Sequence, residues 1–230
     1  ATQSSGVETI TAENGSTVIV AFTNGSHNVT KTLTGTGSPQ ALVLTSADLT
    51  TLTDGTITVS ATATDAAGNV SSVGTSSFVL DTVSPIIVGG SEISNNATNT
   101  LAKAGNVITE TFTSTDTVTG VTINGQNATV VHGTGNNYTA TYAVQSSDTN
   151  GLAGVVITAT DAAGNTTTSN VTGTVTVDTQ APSAPVFLLG TGVTGGATAA
   201  EATQSSGVET ITAENGSTAV SYTHLTLPTK

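Results

Sequence analysis

The chain has 230 residues, three basic against fifteen acidic side chains for a formal charge of −12, and no Cys, Met or Trp. Nucleic-acid binding is excluded in practice, because counterion release needs a cluster of Lys and Arg and this sequence has no Arg. An anionic membrane surface is disfavoured for the same reason, no apolar run of about 18 residues exists to form a membrane-spanning helix, and without Cys there is neither a disulfide framework nor a thiolate zinc site. High charge with few aromatics would ordinarily point to disorder. Here the hydrophobic 36% is rich in Val, Ile and Ala, and 52 threonines fill much of the remainder, a composition that suits strands.

In chain order, the pairs Asn14-Gly15 and Asn24-Gly25 mark tight turns. Gly55–Asp65 then alternates with period two: Ile57, Val59, Ala61 and Ala63 face one way and the intervening Thr and Ser residues the other. Asn124-Gly125 is a further turn. Tyr138, Ala140, Tyr142 and Val144 alternate with Thr139, Thr141 and Ala143, and Val171, Val175 and Val177 continue the pattern with Gly173 in phase. No stretch carries a 3.6-residue apolar stripe, so no helix is expected. Short strands with turns every 8–12 residues predict an all-β protein of tandem immunoglobulin-like β-sandwiches in an extended array. Phe22, Phe78, Phe112, Tyr138 and Tyr142 are the few large groups available to the cores.

The organisation is repetitive. Ala1–Thr17 reads ATQSSGVETITAENGST, and the same seventeen residues return at Ala202–Thr218, 201 positions later. A shorter repeat lies inside that period. Thr62–Asn69 and Thr158–Asn165 both read TATDAAGN, 96 residues apart. Each is followed by a Thr/Val-rich stretch and then by Asp-Thr-x-x-Pro, at Asp81–Pro85 and Asp178–Pro182. Two unlike units of about a hundred residues therefore alternate. The expected division is a first unit lacking its opening strand (1–81), a complete second unit (82–178) and the start of a third (179–218). Opening on Ala in mid-repeat, the chain reads as a piece of a longer array.

The repeat breaks at Ala219, and Val220–Thr229 (VSYTHLTLPT) resembles one reading frame of a transposase-type sequencing adapter, so 219–230 is read as an artefactual tail. Leu227-Pro228-Thr229-Lys230 resembles the start of a sortase anchor. It lacks the Gly and falls in that tail, and carries no weight.

Asp-Ala-Ala-Gly-Asn before a closing strand, with Asp-Thr-x-x-Pro after it, resembles the bacterial immunoglobulin-like repeats of very large surface adhesins, the kind exported by type I secretion and built into biofilm stalks. The resemblance spans about 1–218. It implies an extended chain of domains at the bacterial cell surface, with calcium ions stiffening the junctions. No RTX nonapeptide and no EF-hand loop is present.

Strand parity supplies a physical reason for calcium. In a seven-strand sandwich, the loop between the sixth and seventh strands returns to the end where the chain came in. In the second unit that loop is Asp161–Asn165, and the linker arriving there carries Asp81, so Asp81, Asp161 and Asn165 should converge across 80 residues of sequence. Calcium takes six to eight oxygens from carboxylates, carbonyls, amides and water, and a divalent cation removes the repulsion between two carboxylates. Asp65 and Asn69 hold the same place in the first unit, and Asp178 would meet a third. The plain alternative is a hairpin turn, in which Asp bonds its own backbone and Gly takes positive φ.

Other leads are weaker. His27 and His132 lie near turns with no nucleophile-elbow context, so no enzymatic site is expected. Thr109, Thr111, Thr113, Thr115, Thr117 and Thr119 form an alternate-residue ladder that would suit ice or glycan, and equally the outer face of a Thr-rich strand. Asn-x-Ser/Thr sites such as Asn14, Asn137 and Asn170 arise from composition. The expected function is a structural stalk segment of a cell-surface or biofilm adhesin. Its partners would be the neighbouring repeats of the same chain, with host or biofilm glycans met by domains beyond these residues. A glycan- or ligand-binding module and an accessory domain of a secreted enzyme are the alternatives.

Overall fold

The structure, a computed structural model, describes residues 6–191, 193–204, 207–218 and 220. The adapter-like run and the Leu227–Lys230 motif lie outside the described residues, Val220 excepted. The described chain is nearly all β, and two separate apolar cores form, one from residues between Ile10 and Leu80 and one from residues between Ile87 and Val177.

The first body contains β1 (Glu8–Ile10), β2 (Thr17–Asn24), β3 (His27–Thr34), β4 (Gln40–Leu42), α1 (Ser46–Leu52), β5 (Gly55–Thr64) and β6 (Gly74–Leu80). A four-stranded antiparallel sheet in the order β3-β2-β5-β6 faces a two-stranded ladder, β1-β4. The inward residues are the alternating ones: Val18, Val20 and Phe22 on β2 and Ile57 and Val59 on β5 are buried, and Ala61 and Ala63 are half-buried.

Helix α1 corrects the expectation of no helix. At seven residues it is too short for an apolar stripe to be legible. It forms because Thr45 and Asp48 make a capping box: the Asp48 N–H donates to Thr45 Oγ1 and the Thr45 N–H to Asp48 Oδ2 at 2.6 Å. It also seats Leu52 in the core, fully buried. Lys31 on β3 pairs with Asp48, and this contact, ahead of the bonds from Thr45, holds the Asp48 carboxyl down at about 2.

The second body is a sandwich of two four-stranded sheets. One is ordered β12-β13-β9-β7, from β7 (Ile87–Ser94), β9 (Val107–Ser114), β12 (Thr129–His132) and β13 (Asn137–Ala143). The other is β11-β10-β15-β16, from β10 (Thr117–Ile123), β11 (Gln126–Asn127), β15 (Val155–Thr160) and β16 (Thr166–Val171). The β10–β11 hairpin turns on Asn124 and Gly125, both at positive φ (53° and 76°), the geometry for which Asn-Gly is favoured. A third, small sheet joins β14 (Gly151–Leu152), β17 (Thr176–Val177) and β8 (Leu101–Ala102), with β8 and β17 parallel. The beginning of the body is thereby tied to its end. Ile108, Phe112, Tyr138, Ala140, Val155 and Ile157 anchor the core, and the Phe112 and Tyr138 rings stack at 5.5 Å.

The threonine ladder is not one face. Thr109, Thr111 and Thr113 lie on β9, whereas Thr117 and Thr119 lie on β10 in the opposite sheet, so the chain changes layers halfway along it. His132 stacks on Tyr138 at 4.4 Å, with Nε2 2.7 Å from the Gly135 carbonyl.

Beyond Val177 the chain forms a two-stranded ladder of β18 (Val186–Leu189) and β19 (Glu209–Thr212), with a short helix α2 (Ala199–Ala202) between them. All eight strand residues are exposed.

Candidate functional site

The segment Asp81–Pro85 leads from β6 into β7, and three side chains grip it. Asp54, just before β5, accepts from the Thr82 N–H (3.0 Å) and hydroxyl (2.8 Å) through Oδ1. From the second body, the Asn165 amide donates to the carbonyls of Asp81 (3.0 Å) and Val83 (3.4 Å). Thr167 donates its hydroxyl to the carbonyl of Pro85 at 2.6 Å, and Pro85 itself is buried.

The Asp161–Asn165 loop is built to hold that amide still. Asp161 Oδ1 accepts from the N–H groups of Gly164 (2.7 Å) and Asn165 (2.9 Å), and Oδ2 accepts from Asn165 Nδ2 at 2.8 Å. Gly164 sits at φ +98°, a conformation that favours glycine. The Asn165 side chain, then its N–H and those of Gly164 and Ala163, stabilise the carboxylate and lower the Asp161 pKa. The loop of the first body has the same construction. Asp65 Oδ1 accepts from the N–H groups of Ala67 and Asn69, Oδ2 accepts from Asn69 Nδ2 at 2.7 Å, and the Asp65 pKa is lowered, chiefly by Asn69. The turn reading of Asp-Ala-Ala-Gly-Asn thus describes both loops, and Asn165 does more than turn the chain.

Asp81, Asp161 and Asn165 are brought to one place, by way of the Asp81 carbonyl. The Asp81 carboxylate folds back on its own linker and accepts from the Val83 N–H at 3.1 Å. Asp65 and Asn69 belong to the first body's own loop. Asp178 stands at the next linker, where its Oδ1 accepts from the Gln180 N–H at 3.0 Å and the Asn150 amide at 3.3 Å. Three oxygens, from Asp161 Oδ2, Asp81 and Val83, surround the Asn165 amide nitrogen. These are oxygen donors of the kind calcium takes, drawn from both sides of a junction. Among the described residues no group of three or more His, Cys, Asp or Glu side chains comes together as a metal cluster.

Sequence reasoning missed Asp54 and Asn150. Asn150 Oδ1 accepts from the Thr179 N–H and hydroxyl, each at 2.9 Å, as Asp54 does for Thr82. Both stand 27 or 28 residues before the linker Asp and immediately before a Gly, at Asp54-Gly55 and Asn150-Gly151. That spacing was the available signal.

No family model and no curated protein matches this chain. Among the similar solved structures are three of bacterial adhesion proteins. A Ca2+-stabilised adhesin with which an Antarctic bacterium reaches out and binds ice is 21% identical over 82% of this chain and 49% of its own, with a TM-score of 0.38. A 1.5-MDa bacterial ice-binding adhesin studied for its retention at the host cell surface is 22% identical over 80% of this chain and 63% of its own, at 0.37. A tetra-tandem repeat from the extending region of a large adhesion protein is 22% identical over 78% and 46%, at 0.28. The chain therefore spans about half to two thirds of the length of each.

Proposed function

We propose that this chain is a structural stalk segment of a repetitive bacterial surface adhesin, non-enzymatic and extracellular, in which tandem immunoglobulin-like bodies are held end to end by their linkers. The observation that carries this reading is the clamp on Asp81–Pro85, where Asp54 acts from one body and Asn165 and Thr167 from the next. A mobile tether would leave its carbonyls to water; here the carbonyls of Asp81, Val83 and Pro85 all receive side-chain donors. The reuse of one recipe at Asp81-Thr82 and Asp178-Thr179 supports a device repeated along an array. A strand of ten residues such as β5 spans about 33 Å, so each body adds a few nanometres of reach.

Calcium at this junction belongs to the same reading. Asp81, Asp161 and Asn165, with the carbonyls of Asp81 and Val83, would hold the ion, and its charge would tie the linker to the loop more strongly than one amide does. Asp65, Asn69 and Asp178 are the corresponding candidates at the neighbouring positions. Small-angle scattering and thermal melts of the full chain, in Ca2+ and in EDTA, test this. Ca2+ should narrow the distribution of interdomain distances and raise the melting temperature, and Asp161→Ala should remove both effects. Identical curves in Ca2+ and EDTA would sink calcium stiffening. Unchanged scattering in Asn165→Ala would sink the clamp.

A further inference from the structure

The first strand of the second body contains a bulge that puts a carboxylate where an apolar side chain would have gone. Ile87 packs on the core and a Cβ on Gly89 would point at Val171, so β7 enters with its odd-numbered residues facing in. The register with β9 then shifts between Gly89 and Ser91. Gly90 is the extra residue, at a place where a Cβ would collide with the Thr111 carbonyl. Past the bulge the parity is reversed: Glu92 and Ser94 are buried, whereas Ser91 is exposed and Ile93 is 47% exposed. A regular strand would bury Ile93 and leave Glu92 in water.

Glu92 lands directly opposite Glu110 on β9. Its Oε2 accepts from the N–H groups of Thr174 and Val175. That leaves three enclosed carboxylate oxygens without a partner, Glu92 Oε1 and both of Glu110. Ile108 and Phe112 flank Glu110 along β9 and Ala140 stands opposite it on β13, all buried. Buried polar groups in a native fold find partners, so the pair calls for a cation or a proton. Calcium takes six to eight oxygens, and three carboxylate oxygens among apolar neighbours fall short of that. One proton suffices. Carried on Glu110, it is donated to Glu92 Oε1, and the single remaining charge is the one the Thr174 and Val175 N–H groups already receive. We propose that Glu92 and Glu110 share one proton that latches β7: while held it closes the β7–β9 seam, and its loss as pH rises frees β7 ahead of the rest of the body. β7 is an edge strand bonded only to β9, so it can leave without unpairing any other strand. The remaining titratable side chains on the elements packed around Glu110 are Tyr138 and Tyr142 of β13, the first stacked on His132 of β12 and the second bonded to Asp148. β10, β15, β16 and β17 carry none. The linker Asp81–Pro85 enters the body through β7. In the stalk reading above, on which this consequence alone rests, the strand that receives the pull is the one whose hold depends on pH.

Hydrogen exchange of the full chain from pH 5 to 8, in Ca2+ and in EDTA and corrected for intrinsic rates, tests the latch. Carboxyl 13C spectra of Glu-labelled chain report the proton itself. Opening releases one proton, so exchange of the β7 amides bonded to β9 should rise about tenfold per pH unit up to the folded titration point. It should exceed that of the β15 amides at every pH, as local opening requires. In Glu110→Gln, whose amide can donate to Glu92 Oε1 as the acid does, the pH dependence should vanish. In the unsubstituted chain the Glu92 and Glu110 carboxyl carbons should move in one common step between pH 5 and 8. β7 amides that exchange no faster than those of β15 overturn the local release. A pH dependence that survives in Glu110→Gln, or carboxyl carbons that do not move over this range, overturns the shared proton. A pH dependence present in EDTA and absent in Ca2+ overturns it too, and assigns the pair to a cation. None of these outcomes depends on the linker clamp.

Discussion

Replacing Glu110 by Gln should make the second body more stable at neutral pH and leave it unchanged in acid. Glu110 on β9 is 1% exposed and lies opposite Glu92 of β7 in register, facing the interior. Glu92 Oε2 accepts from the N–H groups of Thr174 and Val175, which fastens β7 to the segment before β17. Neither oxygen of Glu110 has a hydrogen-bond partner, and neither has Glu92 Oε1. Burial raises the Glu110 pKa and the charge of Glu92 adds to it; the Gly90 N–H works the other way without the geometry of a hydrogen bond. Directly opposed residues have Cβ atoms about 5 Å apart, and two unit charges at that distance repel by about 3 kcal/mol at an effective dielectric of about 20. Removing that repulsion should stabilise Glu110→Gln by roughly 1–3 kcal/mol at pH 8. The sign follows from proton linkage. A carboxyl whose folded pKa is raised contributes stability that is complete below its unfolded value of 4.5 and is lost as pH rises through the folded value, at about 1.4 kcal/mol per pH unit. Asp65 and Asp161, with lowered pKa values, act oppositely, and their contribution is complete above 3.8, so neither varies across a scan from pH 5 to 8, and the slope lost in Glu110→Gln is the part that belongs to Glu110. Tyr138 and Tyr142 both belong to the second core, so urea denaturation followed by tyrosine fluorescence reports on that body. A wild-type stability that rises from pH 5 to 8, or one that falls with the same slope in Glu110→Gln, would refute the reasoning.

Glu92→Ala removes a carboxylate that accepts two backbone N–H groups, and bonds to charged groups contribute about 1.5–3 kcal/mol each. The tyrosine-detected urea midpoint should fall by the equivalent of roughly 3 kcal/mol or more at pH 5, and by less at pH 8, where the substitution also removes the repulsion of Glu110. Leu52→Ala empties a fully buried site of the first core and should cost about 2–5 kcal/mol there, visible by far-UV circular dichroism while the tyrosine transition stays in place. Burial, together with the hydroxyl's bonds to Asp148 at 2.7 and 2.9 Å, pushes the Tyr142 pKa up to about 12. Its phenolate absorbance at 295 nm should therefore develop well above the ordinary value of 10. The stability that this neutral phenol contributes is complete below pH 10 and is lost as pH climbs from 10 toward 12. Asp148→Asn should shift that titration downward.

Period-two patterning placed Ile57, Val59, Tyr138, Ala140, Val175 and Val177 correctly in the sequence, because side-chain alternation in a strand is a local property that burial on one face then selects. The repeated Asp-Ala-Ala-Gly-Asn likewise gave the turn at both loops, since Asp, Gly and Asn satisfy one another within five residues. Helix α1 escaped because its determinant is a four-residue capping box, Thr45–Asp48, not a stripe. Which strands share a sheet was not local either. The threonine ladder crosses from one layer to the other at Thr115-Asp116, and Glu92 and Glu110, unremarkable as separate acidic residues in sequence, become buried neighbours only when β7 pairs with β9. Asp54 and Asn150 found their linkers the same way, through loops 28 or 29 residues from the threonines they hold. Local chemistry therefore set the strands, the turns and the repeat, because each depends on residues within a few positions of one another. The linker clamp and the paired buried carboxylates were decided by the tertiary structure, because each depends on which distant segment arrives alongside.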